Sequence, residues 1–220
     1  MMNFEQARKN MVDGQIHTNG VIDPRILDAF QKTPRESFVP ETLRNSAFND
    51  EDIKVADGRY IMEPSVHARL IQALDLKPDS VVLDIGGGTG YSAAILSELV
   101  STVVILESEQ PFLDKFGEVC ETLNICNVAS FIGPLQEGNA EHAPYDSIII
   151  NGAVANVPQA ILDQLAPEGR LVCVVKQDGK PIGSGTLFKK AANGTVSSFP
   201  LFDAATPYLS GFEPEATFQF

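Results

Sequence analysis

The chain has 220 residues, 44% of them hydrophobic and 20% charged, with 17 Gly and 14 Pro. That composition suits one ordinary globular domain, able to bury roughly 70% of its unfolded surface without disulfides or structural metal, and it excludes disorder, collagen and coiled coil. Sixteen basic residues against 29 acidic ones leave a net charge of −13, a field that repels phosphate backbones and anionic lipid, so neither nucleic acid nor membrane is expected as a partner.

Taken in chain order, the first 60 residues read as mostly helical, with Asp23-Pro24 opening a helix at its first turn and Pro34 to Pro40 forming a loop. Ser80 to Ile85 reads as a buried strand, Gly86 to Gly90 as a glycine turn, and Tyr91 to Val100 as a helix. A strand at Thr102 to Leu106, a helix at Gln110 to Leu123 and a weaker strand at Val128 to Ile132 follow. Ser147 to Ile150 is a strong strand, Val157 to Leu165 a helix ending before Pro167 and Gly169, and Leu171 to Val175 a further strand. Thr186 to Lys190 and Thr195 to Phe199 flank Asn193-Gly194, a hairpin signal. The segment from Leu201 carries Phe202, Tyr208, Phe212, Phe218 and Phe220 and is expected to pack back on the domain.

Strands alternating with helices imply right-handed βαβ units. The predicted fold is therefore α/β: a Rossmann-like, doubly wound, mostly parallel sheet with a C-terminal antiparallel hairpin and an N-terminal helical segment. The expected organisation is a single domain, with an N-terminal region over 1–78, an α/β core over 79–176 and a hairpin and tail over 177–220.

Cys120, Cys126 and Cys173 are odd in number and lack C-x-x-C spacing, which suits reduced, buried thiols. His17, His67 and His142 are scattered without ligand spacing, so no metal is expected. No run approaches the ~18 apolar residues that cross a bilayer, and residues 1–10 carry Glu5, Arg8 and Lys9 in place of an apolar leader. The expected location is the cytoplasm.

The glycine turn carries the chemistry. Asp84-Ile85-Gly86-Gly87-Gly88-Thr89-Gly90 joins a strand to a helix, where free N–H groups and absent side chains admit a ligand close to the backbone. Its spacing is G-x-G-x-G, and Tyr91 stands where a dinucleotide fingerprint has its third glycine. Asp84 is ill placed for a pyrophosphate but suits a cationic ligand; S-adenosylmethionine has an ammonium and a sulfonium and no phosphate. Glu107, 23 residues after Asp84, ends the next strand, where an acid accepts hydrogen bonds from ribose hydroxyls.

These residues resemble a class I S-adenosylmethionine-dependent methyltransferase, and more narrowly the protein-L-isoaspartate O-methyltransferase family. The resemblance runs from about Arg8 to Lys176 through M-V-D-G-Q-I at Met11 to Ile16, D-P-R-I-L-D-A-F at Asp23 to Phe30 and P-R-E-S-F-V-P at Pro34 to Pro40. It continues through V-L-D-I-G-G-G-T-G-Y at Val82 to Tyr91, A-P-Y-D-S-I at Ala143 to Ile148 and V-P-Q-A-I-L-D-Q-L-A-P-E-G-R-L-V at Val157 to Val172. It implies methyl transfer to the side carboxylate of L-isoaspartyl residues in damaged proteins, with such proteins or peptides as partners. It also implies cofactor contacts from Ile61, His67, Asp84, Gly86, Gly88, Gly90, Tyr91, Glu107 and Leu135.

The sequence departs from that family at the acceptor loop. Met62 stands where the family has a serine, and it cannot donate a hydrogen bond. Glu63 adds negative charge where an isoaspartyl carboxylate docks, with Arg59 as the expected compensating cation. Gly133-Pro134-Leu135 replaces the family's Gly-Asp-Gly, losing one adenine contact. The sequence leaves three readings open: an isoaspartyl repair methyltransferase, a methyltransferase for another acceptor with Glu63 as general base or counter-ion, and a binding module without turnover.

Overall fold

The computed structural model describes residues 3–214. Nine strands and six α-helices follow in the order α1 (Phe4–Met11), α2 (Pro24–Lys32), β1 (Ile53–Ala56), β2 (Arg59–Ile61), α3 (Pro64–Ala73), β3 (Val81–Ile85), α4 (Tyr91–Ser97), β4 (Thr102–Glu107), α5 (Gln110–Leu123), β5 (Val128–Ile132), β6 (Tyr145–Val154), α6 (Gln159–Asp163), β7 (Leu165–Val175), β8 (Gly183–Lys190) and β9 (Val196–Ala204). The main sheet has the order β5-β4-β3-β6-β7-β8-β9. Pairing is parallel from β5 to β7 and antiparallel from β7 through β9. The predicted doubly wound sheet with a closing hairpin is borne out.

Local chemistry sets the helix ends. The Asn3 side chain accepts from Gln6 N and caps α1; Asp23 caps α2 through Arg25 N, with Pro24 at the first helical position. Asn124, at φ 56°, ends α5 in the left-handed conformation that asparagine tolerates.

Alternate residues of the central strands feed two cores. Val82, Val103, Ile149, Val172 and Val174 join one cluster, with Phe30, Phe38, Leu70, Ile71 and Ile95 from the helices. Leu83, Ile85, Val104, Leu106, Ile148, Ile150, Leu171 and Cys173 join the other, with Ile161, Leu209 and Phe212. Burial on both faces explains why these strands read as unbroken apolar runs. β5 lies at the sheet edge and alone among the parallel strands is largely exposed, hence its weaker signal.

Several boundaries differ from expectation. β6 extends from the predicted Ser147–Ile150 to Tyr145–Val154, because its last residues bond to the C-terminal segment instead of β3. α4 stops at Ser97, not Val100, and α6 is Gln159–Asp163, not Val157–Leu165. β1 and β2, a separate antiparallel hairpin, fall inside the stretch read as helical. Tyr208 and Phe212 pack back as expected, and Phe202 lies in β9; Phe218 and Phe220 lie outside the described residues.

The P-R-E-S-F-V-P motif has a structural reason. Arg35 is fully buried; its Nε donates to Ala47 O at 2.6 Å and its Nη2 to Met62 O at 2.9 Å, and its guanidinium lies 4.9 Å from the Tyr91 ring centroid. One side chain thus ties the 44–47 turn to the loop entering α3. Arg35→Ala strands two buried carbonyls, and a loss of about 3 kcal/mol is expected, lowering the melting temperature by roughly 6–12 °C. Arg35→Lys is expected to recover little, because an ammonium does not reproduce the forked geometry; a thermal melt of both variants checks this.

Candidate active site

In an open α/β sheet, ligands bind outside the carboxyl ends of the strands, at the point where the strand order reverses. Here that point lies between β3 and its neighbours β4 and β6. The glycine turn leaves β3 there. Gly86, Gly88 and Gly90 take φ of 68°, 57° and 86°, a backbone that side chains disfavour. A Cβ at Gly86 would meet Leu209 at 2.7 Å, so the C-terminal segment sits directly on the turn.

Asp84, the next-to-last residue of β3, has no solvent exposure. Asn151, on β6, donates through Nδ2 to Asp84 Oδ1 and, at 3.0 Å, to Ile85 O. Oδ2 has no partner among the described residues. Burial pushes the Asp84 carboxyl up to about 7, against the Asn151 hydrogen bond, which lowers it.

Glu107 ends β4 and is also fully buried. Its Oε1 accepts from Gly88 N at 2.6 Å and from Arg59 Nε at 3.0 Å; its Oε2 accepts from Arg59 Nε at 3.1 Å, Arg59 Nη2 at 3.0 Å and Ser108 N at 3.1 Å. Arg59 is 2% exposed, and its guanidinium also donates to Ser108 Oγ and Gly58 O. The expected role of Arg59 beside Glu63 is corrected: its partner is Glu107. The reason is strand alternation. Arg59 and Ile61 project from the buried face of β2, toward the sheet, whereas Glu63 lies past the strand at the start of α3.

Glu63 receives the Ser65 hydroxyl at 2.5 Å, and its backbone N–H donates to Asp52 Oδ1 at 2.9 Å. Burial, with the Glu63 charge adding to it, raises the Asp52 carboxyl. Ile61, Met62, Tyr91 and Leu135 are all buried. His67 lies between the rings of Phe30 (5.5 Å) and Tyr91 (5.9 Å), and neither ring nitrogen has a partner among the described residues. Burial, then the Arg35 charge, depresses its imidazole to about 3, so it is neutral. Asn151, Ser108 and Leu209 escaped the sequence reading; Asn151-Gly152 does follow the S-I-I-I run, a polar residue at the end of a buried strand.

Two buried groups give opposing pH dependences. Asp84, raised from 3.8 to about 7, contributes stability that is fully present below 3.8 and lost as pH rises through 7. His67, lowered from 6.5 to about 3, contributes stability present above 6.5 and lost as pH falls toward 3. Asp84→Asn removes only the first effect. Relative to the parent chain, the variant is expected to gain stability steadily between about pH 4 and 7, at up to about 1.4 kcal/mol per pH unit. Urea unfolding from pH 5 to 8 checks this, and a difference that stays flat across that range would refute the raised carboxyl.

Among the described residues, no group of His, Cys, Asp and Glu has the arrangement of a metal site. No helix there is long and apolar enough to cross a membrane. The sequence pattern of the protein-L-isoaspartate(D-aspartate) O-methyltransferase family matches residues 6–203. A protein-L-isoaspartate O-methyltransferase from Synechococcus sp. (strain JA-2-3B'a(2-13)) is 39% identical over 205 residues, covering 90% of this chain and 84% of the relative. One from Trichlorobacter lovleyi is 37% identical over 199 residues, covering 90% of each chain. A solved protein-L-isoaspartate O-methyltransferase superposes with a TM-score of 0.78 at 26% identity, over 94% of this chain and 66% of its own length. A Plasmodium falciparum protein of the same description, crystallised with S-adenosyl-L-homocysteine, shares the fold with a TM-score of 0.73 at 21% identity, over 92% of this chain and 98% of its own. By sequence over nearly its whole length, and by the glycine turn between two buried acids at the switch point, the chain belongs to the protein-L-isoaspartate O-methyltransferase family.

Proposed function

We propose that this chain is an S-adenosylmethionine-dependent methyltransferase acting on the side carboxylate of L-isoaspartyl residues in damaged proteins, a repair reaction carried out in the cytoplasm by a single domain. The observation that carries this reading is the pair of fully buried acids, Asp84 and Glu107, on either side of a positive-φ glycine turn. The side chains suit that cofactor. Asp84 keeps one carboxylate oxygen unpartnered for an ammonium, Glu107 ends β4 where ribose hydroxyls are received, and Gly86, Gly88 and Gly90 keep side chains off the turn in a backbone that only glycine adopts readily. The cofactor contacts that the family resemblance assigns to Ile61, His67, Tyr91 and Leu135 fall on buried apolar and aromatic side chains.

When bound, the cofactor supplies a methyl group carried on a positive sulfur. The acceptor carboxylate, with a reference value near ~4, is already ionised at neutral pH, so this chain needs no general base. Its task is alignment and exclusion of water. Met62 offers no hydrogen bond where the family has serine, and Glu63 with Asp52 places two acids beside that loop. Two like charges ~4 Å apart repel by up to about 4 kcal/mol at an effective dielectric of 20, which slows docking of an anionic acceptor. The arrangement favours the isoaspartyl reading over other acceptors only through family membership, so the acceptor is the point to test.

Incubation with labelled S-adenosylmethionine and an isoaspartyl peptide is expected to yield base-labile methyl ester. If no ester forms while cofactor binding is intact, the isoaspartyl assignment is lost. Met62→Ser with Glu63→Gln is expected to raise the rate, at a stability loss of about 2–3 kcal/mol for the buried methionine; the melting temperature is measured alongside.

A further inference from the structure

The C-terminal segment takes an unusual course. After β9 the chain returns across the carboxyl end of the sheet and pairs with the end of β6 beyond the point where β6 leaves β3. Ala153 N–H donates to Pro207 O at 2.8 Å, Leu209 N–H to Ala153 O at 3.0 Å and Ala155 N–H to Phe212 O at 2.8 Å. Lys176 anchors its start: Nζ donates to Thr206 O at 2.7 Å and lies 4.2 Å from the Tyr208 ring centroid, while the Tyr208 hydroxyl donates back to Lys176 O. Leu209 is 1% exposed and seated on the turn: a Cβ would meet it at 2.7 Å from Gly86 and at 2.9 Å from Gly152. The glycine turn thus has its close approach, made by the chain's own leucine.

Arg59 makes the second approach. A Cβ at Gly88 would lie 3.5 Å from Arg59 Cβ, and the guanidinium sits 5.5 Å from the Phe112 ring centroid while holding both oxygens of Glu107. The acid that ribose hydroxyls require is fully buried, and both its oxygens are in use.

We propose that the chain carries a built-in closure of its own cofactor crevice: Arg59 on Glu107 stands in the nucleoside's place, Leu209 on Gly86 stands in that of the amino-acid end, and cofactor binding requires both to withdraw. The proposal rests on the S-adenosylmethionine reading above. Ribose is neutral, whereas Arg59 brings a full charge to Glu107, so the exchange sacrifices a buried ion pair for two hydroxyl hydrogen bonds. Apparent affinity falls by the fraction of molecules that are open. Lys176 holds the start of the strap, which leaves 209–212 as the part that swings.

Amide hydrogen exchange on the full chain, with and without S-adenosylhomocysteine, tests this together with calorimetry. At saturating ligand, the amides of Ala155 and Leu209, whose bonds involve the swinging residues 209–212, are expected to exchange at least about tenfold faster, while that of Ala153 on the held Pro207 and those of β3 and β4 stay protected. Leu209→Ala, with its fold checked by circular dichroism, is expected to bind the ligand about tenfold more tightly than the parent. Ligand that saturates the chain and leaves the amides of Ala155 and Leu209 protected overturns the closure and leaves the methyltransferase reading standing. A folded Leu209→Ala with unchanged affinity does the same. Failure of both proteins to bind at all overturns the cofactor reading and the closure with it.

Discussion

The Arg59–Glu107 pair is the interaction around which the site is arranged. Two charges removed from water are stable only when every donor and acceptor is used, and removing one partner of such a pair costs about 3–5 kcal/mol. Glu107 meets the condition with Arg59, Gly88 N–H and Ser108 N–H; Arg59 adds Ser108 Oγ and Gly58 O. In doing so the pair links three elements distant in sequence: the β1–β2 hairpin, the glycine turn and the end of β4. The hairpin is bound to the sheet's carboxyl end through this contact and through Ser210 N–H donating to Gly58 O.

Asp84 is the counterpart without a cation. It lies one strand over, just as deeply buried, and its partner is the neutral Asn151 amide. The consequence is a carboxyl whose charge is disfavoured in the closed molecule. A ligand bearing an ammonium there would restore the ordinary carboxylate state. Two acids in one crevice are thus kept in different conditions, one paired with an arginine and the other raised by burial toward its protonated form.

Much of the fold was legible because the periodic signals are local. T-V-V-I-L with its following acid, the 14 residues Gln110 to Leu123 and the Asn193-Gly194 turn each specify their element locally. The glycine turn with Asp84 and Glu107 was legible for the same reason, since strand–turn–helix context and strand-end position can be counted along the chain. Arg59 was not. Its neighbours in sequence, Glu63 above all, suggested a local charge pair, and its true partner stands 48 residues away. Tyr208 and Phe212 pack back as expected, but which surface Leu209 covers depends on where β6 ends relative to β3, a matter of sheet order and not of composition.

The P-R-E-S-F-V-P segment shows how a motif can mark a family without touching the chemistry. Among the described residues Arg35 has no carboxylate within salt-bridge reach; it holds backbone carbonyls at Ala47 and Met62. Its positive charge, buried beside His67, helps keep that imidazole neutral, and burial in turn makes the guanidinium easier to deprotonate than usual. Through Met62 O it also fixes the backbone of the acceptor loop. The Met62 side chain at the family's serine position is therefore presented by the same arginine anchor whatever its chemistry, so this loop differs in the side chains it carries while its attachment to the core is set by Arg35. That separates the two questions this family member raises. The loop's position follows from a buried hydrogen-bonded arginine, and its competence toward an anionic acceptor follows from Met62, Glu63 and Asp52.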